Sequence, residues 1–221
     1  MNHGMISETS AAVPDAADET LDELRPRLIA AMLPSVAFDG WSQESVAAGA
    51  LDAGIDPDLA AVAFRGGTLQ MVEAYIALAD ARMLAALGDL SGHKIRERIR
   101  LAVATRLQQA DGEREVVRRT LAVLALHPAV AARTLWRTAD TMWRAAGDTA
   151  TDYNHYTKRM ILGAVYSATL LVWLDDSEGW PAFLDRRIDG IMRFEKTKAR
   201  LTGLHFPSPA RFLGRLRYPA V

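Results

Sequence analysis

The chain has no cysteine, which excludes a disulfide framework, a thiolate metal site and a cysteine nucleophile. It also lacks an apolar run long enough to span a bilayer. The longest, MILGAVYSATLLVWL from Met160 to Leu174, reaches about 22 Å as a helix, short of the roughly 30 Å hydrocarbon core. It reads as a buried helix. The opening stretch, MNHGMISETSAAVPDAADET, has no cationic patch followed by an apolar stretch, so neither a secretory signal nor an Arg-rich transit peptide is expected. No strand-like alternation runs through the chain, and no internal repeat of roughly 20–50 residues is present. No catalytic set stands out either. The five histidines are scattered, there is no nucleophile elbow or phosphate-cradling loop, and Arg65–Gly67 reads as a helix break. Neither an enzyme, a metal site nor a cofactor is expected.

What is present is a helix-forming composition. Half of the residues are apolar, enough for a packed core. The net charge of −1 hides an asymmetry: Met1–Ala60 carries eleven acids against two arginines, and Ala182–Val221 nine Lys/Arg against three acids. The two ends are built for different surroundings. The basic end is the candidate for anionic lipid or an acidic partner.

Apolar spacing of 3.6 predicts an all-α protein of nine or ten helices. They are expected over Thr20–Val36, two short helices within Trp41–Arg65, then Thr68–Leu87, His93–Ala110, Arg114–Leu126, Ala129–Ala146, Asp152–Leu174 and Pro181–Leu201, with a short one near Ala210–Tyr218. Residues 1–19 are expected to form a disordered acidic tail.

The stretch GWSQESVAAGALDAGIDPDLAAVAFRGG, Gly40–Gly67, reads as a helix-turn-helix, with Ser42 and Asp56 as N-caps and Pro57 at a first helical position. Duplex recognition needs cations for the phosphates and polar groups at the recognition helix tip. Here Trp41–Arg65 holds four acids against Arg65 alone, and Asp56 and Asp58 stand at the tip. DNA is therefore a disfavoured partner.

An N-terminal three-helix unit followed by about six helices resembles the TetR-type regulators. The second half is more specific: AGDTATDYN (Ala146–Asn154), YTKR (Tyr156–Arg159) and YSAT (Tyr166–Thr169) look like the signature of the ninth coenzyme Q biosynthesis protein family, TetR-fold relatives that bind lipid instead of DNA. The resemblance runs from about Leu21 to Lys198. Composition sets off a basic terminal segment over 202–221, and the resemblance implies a helix-turn-helix unit over 20–67 and a lipid-binding helical domain over 68–201. It further implies a non-catalytic accessory of ubiquinone synthesis that presents a prenylated quinone intermediate to a di-iron demethoxyubiquinone hydroxylase at a membrane. Where the family's eukaryotic members are expected to carry an aromatic, this chain has His155. The expected location is the cytoplasmic side of a bacterial inner membrane, and a homodimer is expected from the fold. A ligand-responsive TetR-type regulator is the alternative reading, and a helical interaction module without lipid a third.

Candidate residues follow. Leu135, Trp136, Ala139, Met142 and Trp143 form one apolar face, and Met160, Ile161, Ala164, Val165, Ala168 and Leu171 belong to the helix that is apolar nearly all round. Between such helices a tunnel for an isoprenoid, a quinone intermediate or a phospholipid is expected, although ordinary core packing gives the same stripes. At about 25 cal/mol per Å², burying some hundreds of Å² of tail gains several kcal/mol. The polar cluster Asp152, Tyr153, Asn154, His155, Tyr156 and Arg159 is the expected hydroxylase-docking patch, aromatics and arginine being the usual interface anchors. Asp152 and His155 would make half a metal site, but no second half exists. Arg211, Phe212, Leu213, Arg215, Leu216 and Arg217, with no acid among them, either lie in a membrane interface or pack on the domain.

Overall fold

Thr20 starts the first helix by a reciprocal cap: its Oγ accepts from the Glu23 amide (3.4 Å) and the Glu23 carboxylate accepts from the Thr20 amide (3.0 Å). The computed structural model describes residues 20–148, 153–176 and 178–190. Asp152, the expected acidic tail and the expected membrane-contact residues Arg211, Phe212, Leu213, Arg215, Leu216 and Arg217 lie outside the described residues, as do the side chains of Tyr153 and Asn154. The helices are α1 (Leu21–Asp39), α2 (Gln43–Asp52), α3 (Pro57–Ala63), α4 (Thr68–Leu87), α5 (Ile95–Gln108), α6 (Arg114–Ala125), α7 (Pro128–Ala145), α8 (Tyr153–Asp175) and α9 (180–190). A single 3-10 turn, Asp111–Glu113, precedes α6. No strand occurs among the described residues. The fold is all-α, as its periodicity predicts.

Local signals place the first three helices. The Ser42 Oγ accepts from the Ser45 amide, and Asp56 Oδ1 accepts from the Asp58 and Leu59 amides. Gly49 lets α2 lie directly on α1: a Cβ there would stand 2.7 Å from Met32 Cβ and 2.9 Å from its backbone. Asp58 and Arg65 remain at the surface, and α3 has only seven residues.

Helices α4 to α8 extend the same hydrophobic core. Their buried stripes follow helical spacing, as with Ile99, Ala102, Val103 and Leu107 on α5. Ile95, in register with that stripe, ends 45% exposed at the first turn. On α8 the buried stripe is Leu162, Val165, Tyr166, Thr169 and Trp173. Met160 and Leu171, expected to face inward, are instead 67% and 61% exposed, and Ala164 is exposed too. A helix apolar nearly all round carries no signal for which side turns inward; the packing of its neighbours decides. Trp180, Leu184 and Ile188 seat α9, and Arg100 and Arg96 of α5 pair with its Asp185 and Asp189. Among the described residues no helix is long and apolar enough to cross a membrane.

Candidate functional site

A cavity of about 290 Å³ lies between α4, α5, α6, α7 and α8. Its wall is mainly aliphatic: Ile76 from α4, Leu107 from α5, Leu121 and Leu124 from α6, Leu135 from α7 and Leu170 from α8. Of the residues expected to line a lipid pocket, only Leu135 reaches it. Ala139 and Met142 are buried in the surrounding core. Trp143 is half-buried, donating from Nε1 to the Lys158 carbonyl at 3.0 Å. Ile161, Ala164, Val165 and Ala168 line a different depression, between α8 and the Arg186, Arg187 and Gly190 edge of α9. Met160 and Leu171 line neither. The reason is the phase of α8: Tyr166, Ser167 and Leu170 face the cavity, and the expected set lies around the other side of the helix.

One side of the cavity is polar, and sequence periodicity did not single it out. Asp80 and Arg106 form a buried ion pair at 3.0 Å, and Thr138 donates to the other Asp80 oxygen at 2.8 Å. Burial pushes the Asp80 carboxyl above its ordinary value, opposed by the Arg106 charge and by the hydrogen bonds from Arg106 and Thr138. The Tyr75 hydroxyl donates to Glu113 Oε2 at 2.8 Å, and Arg82 holds the second Glu113 oxygen at 2.7 Å. Burial, and then the Glu113 charge, raise the Tyr75 hydroxyl far above its usual range, so it stays a donor. Tyr166 is raised by burial as well, with Arg106 opposing. The visible sign in the sequence was an acid and a base on otherwise apolar helix faces: Asp80 among Ile76, Ala79 and Met83, and Arg106 among Ala102, Val103 and Leu107. Such residues are tolerated there only when paired. The N-terminal unit touches this wall through Trp41, whose Nε1 donates to Thr120 at 3.0 Å and whose ring lies 5.3 Å from that of Tyr75.

The expected docking patch divides in two. At the surface, Trp136, His155 and Tyr156 form an aromatic cluster with ring centroids 5.2–6.2 Å apart, and Tyr156 is 58% exposed. Trp136 was expected in the pocket; it is next in sequence to the cavity-lining Leu135 but turns outward to this cluster. Arg159 is a correction. Its side chain is 2% exposed and locked between Asp140 (2.5 Å) and Asp148 (3.1 Å), so it is a corner pin and not a docking anchor. Arg144 completes Asp140, and Lys158 completes Asp148. Burial alone would raise both aspartates, yet these hydrogen bonds and charges hold them below the ordinary carboxylate value. The network ties the end of α7 to the start of α8. Among the described residues, no group of three or more His, Asp or Glu could hold a metal ion.

Comparison with known proteins now bears on this geometry. A family model described as COQ9 matches residues 129–195, the segment holding α7, the corner network and α8. The protein named "Ubiquinone biosynthesis protein COQ9, mitochondrial" of Rattus norvegicus is 31% identical over 195 residues, covering 81% of this chain and 62% of the relative. Its Homo sapiens counterpart is 30% identical over 195 residues, covering 81% and 61%. A Dictyostelium discoideum relative, "Probable ubiquinone biosynthesis protein coq9, mitochondrial", is 23% identical over 203 residues, with 80% and 62% covered. The chain thus spans a little over three fifths of the length of these curated relatives. Among solved structures, the TetR transcriptional regulator from Nitrosomonas europaea ATCC 19718 superposes with a TM-score of 0.59 at 20% identity, covering 75% of this chain and 96% of that one. At that identity the likeness establishes a TetR-like fold and nothing of function. The expected location at a bacterial inner membrane is corrected by the same comparison, because these relatives are named as mitochondrial proteins. That reading is withdrawn. Over four fifths of its sequence the chain is similar to curated COQ9 proteins, and the COQ9 family model matches it over α7 and α8.

Proposed function

We propose that this protein is a non-catalytic accessory of ubiquinone biosynthesis that holds a prenylated quinone intermediate in the α4–α8 cavity and presents it to the di-iron demethoxyubiquinone hydroxylase at a membrane surface. The observation that carries this is the cavity: apolar walls with a confined polar side, in a chain whose relatives are named ubiquinone biosynthesis proteins. Binding would come from burial, at about 25 cal/mol for each Å² of apolar surface. The ligand is an isoprenoid quinone, with another isoprenoid lipid or a phospholipid as the nearest substitutes. No cofactor takes part.

Three further roles belong to this reading. The Trp136–His155–Tyr156 cluster meets the hydroxylase, one residue along α7 from the cavity wall. A second copy of the chain covers Met160, Ala164 and Leu171, giving a homodimer, which sedimentation would disprove by showing a monomer at all concentrations. Duplex DNA is not a partner, since Asp56 and Asp58 stand where phosphates would approach. Native mass spectrometry of the purified protein tests the central role. Co-purified isoprenoid quinone is the expected result. An empty protein that takes up no quinone from vesicles would refute it.

A further inference from the structure

Tyr166 is 8% exposed, and its ring lines the cavity. Its hydroxyl makes no hydrogen bond to any described residue. No partnerless side-chain oxygen or nitrogen is sealed from solvent among the described residues. The hydroxyl therefore keeps some accessible surface, on a residue that lines the cavity. Of the polar groups on the same wall, the Tyr75 hydroxyl is engaged with Glu113 and that of Thr138 with Asp80, and the Arg106 charge is paired with Asp80 through Nε. A buried hydroxyl without a partner costs free energy. Here it is a waiting hydrogen-bonding group inside an apolar chamber.

Charge and size narrow what it waits for. Arg106 is the single charged residue on the wall, and Asp80 already neutralises it. A carboxylate or phosphate would enter without a counter-ion and lose its hydration uncompensated. A neutral oxygen, carbonyl or phenolic, needs only the one hydrogen bond that Tyr166 offers. At about 290 Å³ the chamber lies at the lower end of the roughly 300–1,000 Å³ range of pockets for drug-sized molecules. It takes a ring and a short stretch of tail, not a full polyprenyl chain.

We propose that the cavity holds the oxygen-bearing ring end of its lipid, with the Tyr166 hydroxyl as hydrogen-bonding anchor and the prenyl tail leaving through the mouth. This rests on the lipid-binding reading above and adds which end of the ligand is inside and which charge state is selected. Tyr166 is a binding residue here, not a catalytic one.

The test compares the full chain and Tyr166→Phe, with folding checked by thermal melting, against three probes: geranyl-para-benzoquinone, geranylbenzene (similar in shape, without oxygen) and decanoate. The wild type is expected to bind the quinone more tightly than geranylbenzene and to reject decanoate. Tyr166→Phe should weaken quinone binding roughly threefold to tenfold, the loss of one buried hydrogen bond, and leave geranylbenzene unchanged. The infrared carbonyl stretch of bound quinone should sit lower in the wild type than in Tyr166→Phe. Equal quinone affinity and an unshifted carbonyl in both proteins overturn the anchor while leaving lipid binding intact. Preference for decanoate overturns the charge argument. If neither quinone nor geranylbenzene binds the wild type, the lipid-binding reading itself falls, and the anchor with it.

Discussion

Arg159 and Tyr156 stand three positions apart on α8, yet one is 2% exposed and the other 58%. Replacing Arg159 by Met removes the cation shared by Asp140 and Asp148, a loss of about 3 kcal/mol for a broken buried pair, or roughly 6–12 °C in melting temperature for a chain of this size. Tyr156→Ala should leave melting within a degree or two, as is usual for surface changes, and weaken hydroxylase retention in a pull-down. Normal melting for Arg159→Met, or full retention for Tyr156→Ala, would contradict these roles. The same corner sets an acid limit. Asp140 and Asp148 have folded values below the 3.8 of a free aspartate. Their stabilisation is therefore complete above about pH 3.8 and is lost as pH falls through the lower folded values. Asp148→Asn should flatten the fall of melting temperature in that acid window; identical slopes in both proteins would count against it. Sequence grouped Arg159 with the surface patch because it shares a helical side with Asp152 and His155. What it could not show was the convergence of two aspartates from α7 and the following turn.

At the level of the helix, caps and breaks were legible and rotation was not. Thr68–Leu87 forms α4 with the expected ends, and Ser42 and Asp56 act as the caps their positions suggest. Each of these signals is local, read within one turn. The inward side of α8 depends instead on the helices packed against it, and a helix apolar all round leaves that choice open. Contact between helices raises a related case at Gly49. Alanine there would gain about 1 kcal/mol in helix propensity, but its Cβ would stand 2.9 Å from the Met32 backbone, which cannot yield like a side-chain tip. Overpacking of this kind costs about 1–3 kcal/mol, so the clash should win. Gly49→Ala is expected to lower the denaturation midpoint measured in urea; an unchanged or higher midpoint would show that α1 and α2 separate freely.

Taken whole, the molecule keeps the TetR-like layout. The three-helix front presents acids at the tip of α3, and its Trp41 reaches back to Thr120 and Tyr75 at the cavity wall. The rear five helices enclose a space whose lining comes from each of them. Fold class and the resemblance to COQ9 were readable because they rest on periodicity and on the motifs of α7 and α8. The cavity was not, because a void depends on the joint rotation of five helices and no segment encodes it alone. Ser167, small and on the wall, offers the most direct test of occupancy. Lipid extracted from purified Ser167→Trp and wild-type protein should be quantified side by side, with melting confirming that both are folded. The wild type should carry isoprenoid quinone near one molecule per chain or per pair of chains, and the filled variant several-fold less. Equal loads in the two folded proteins would place the ligand elsewhere and contradict the cavity as its site.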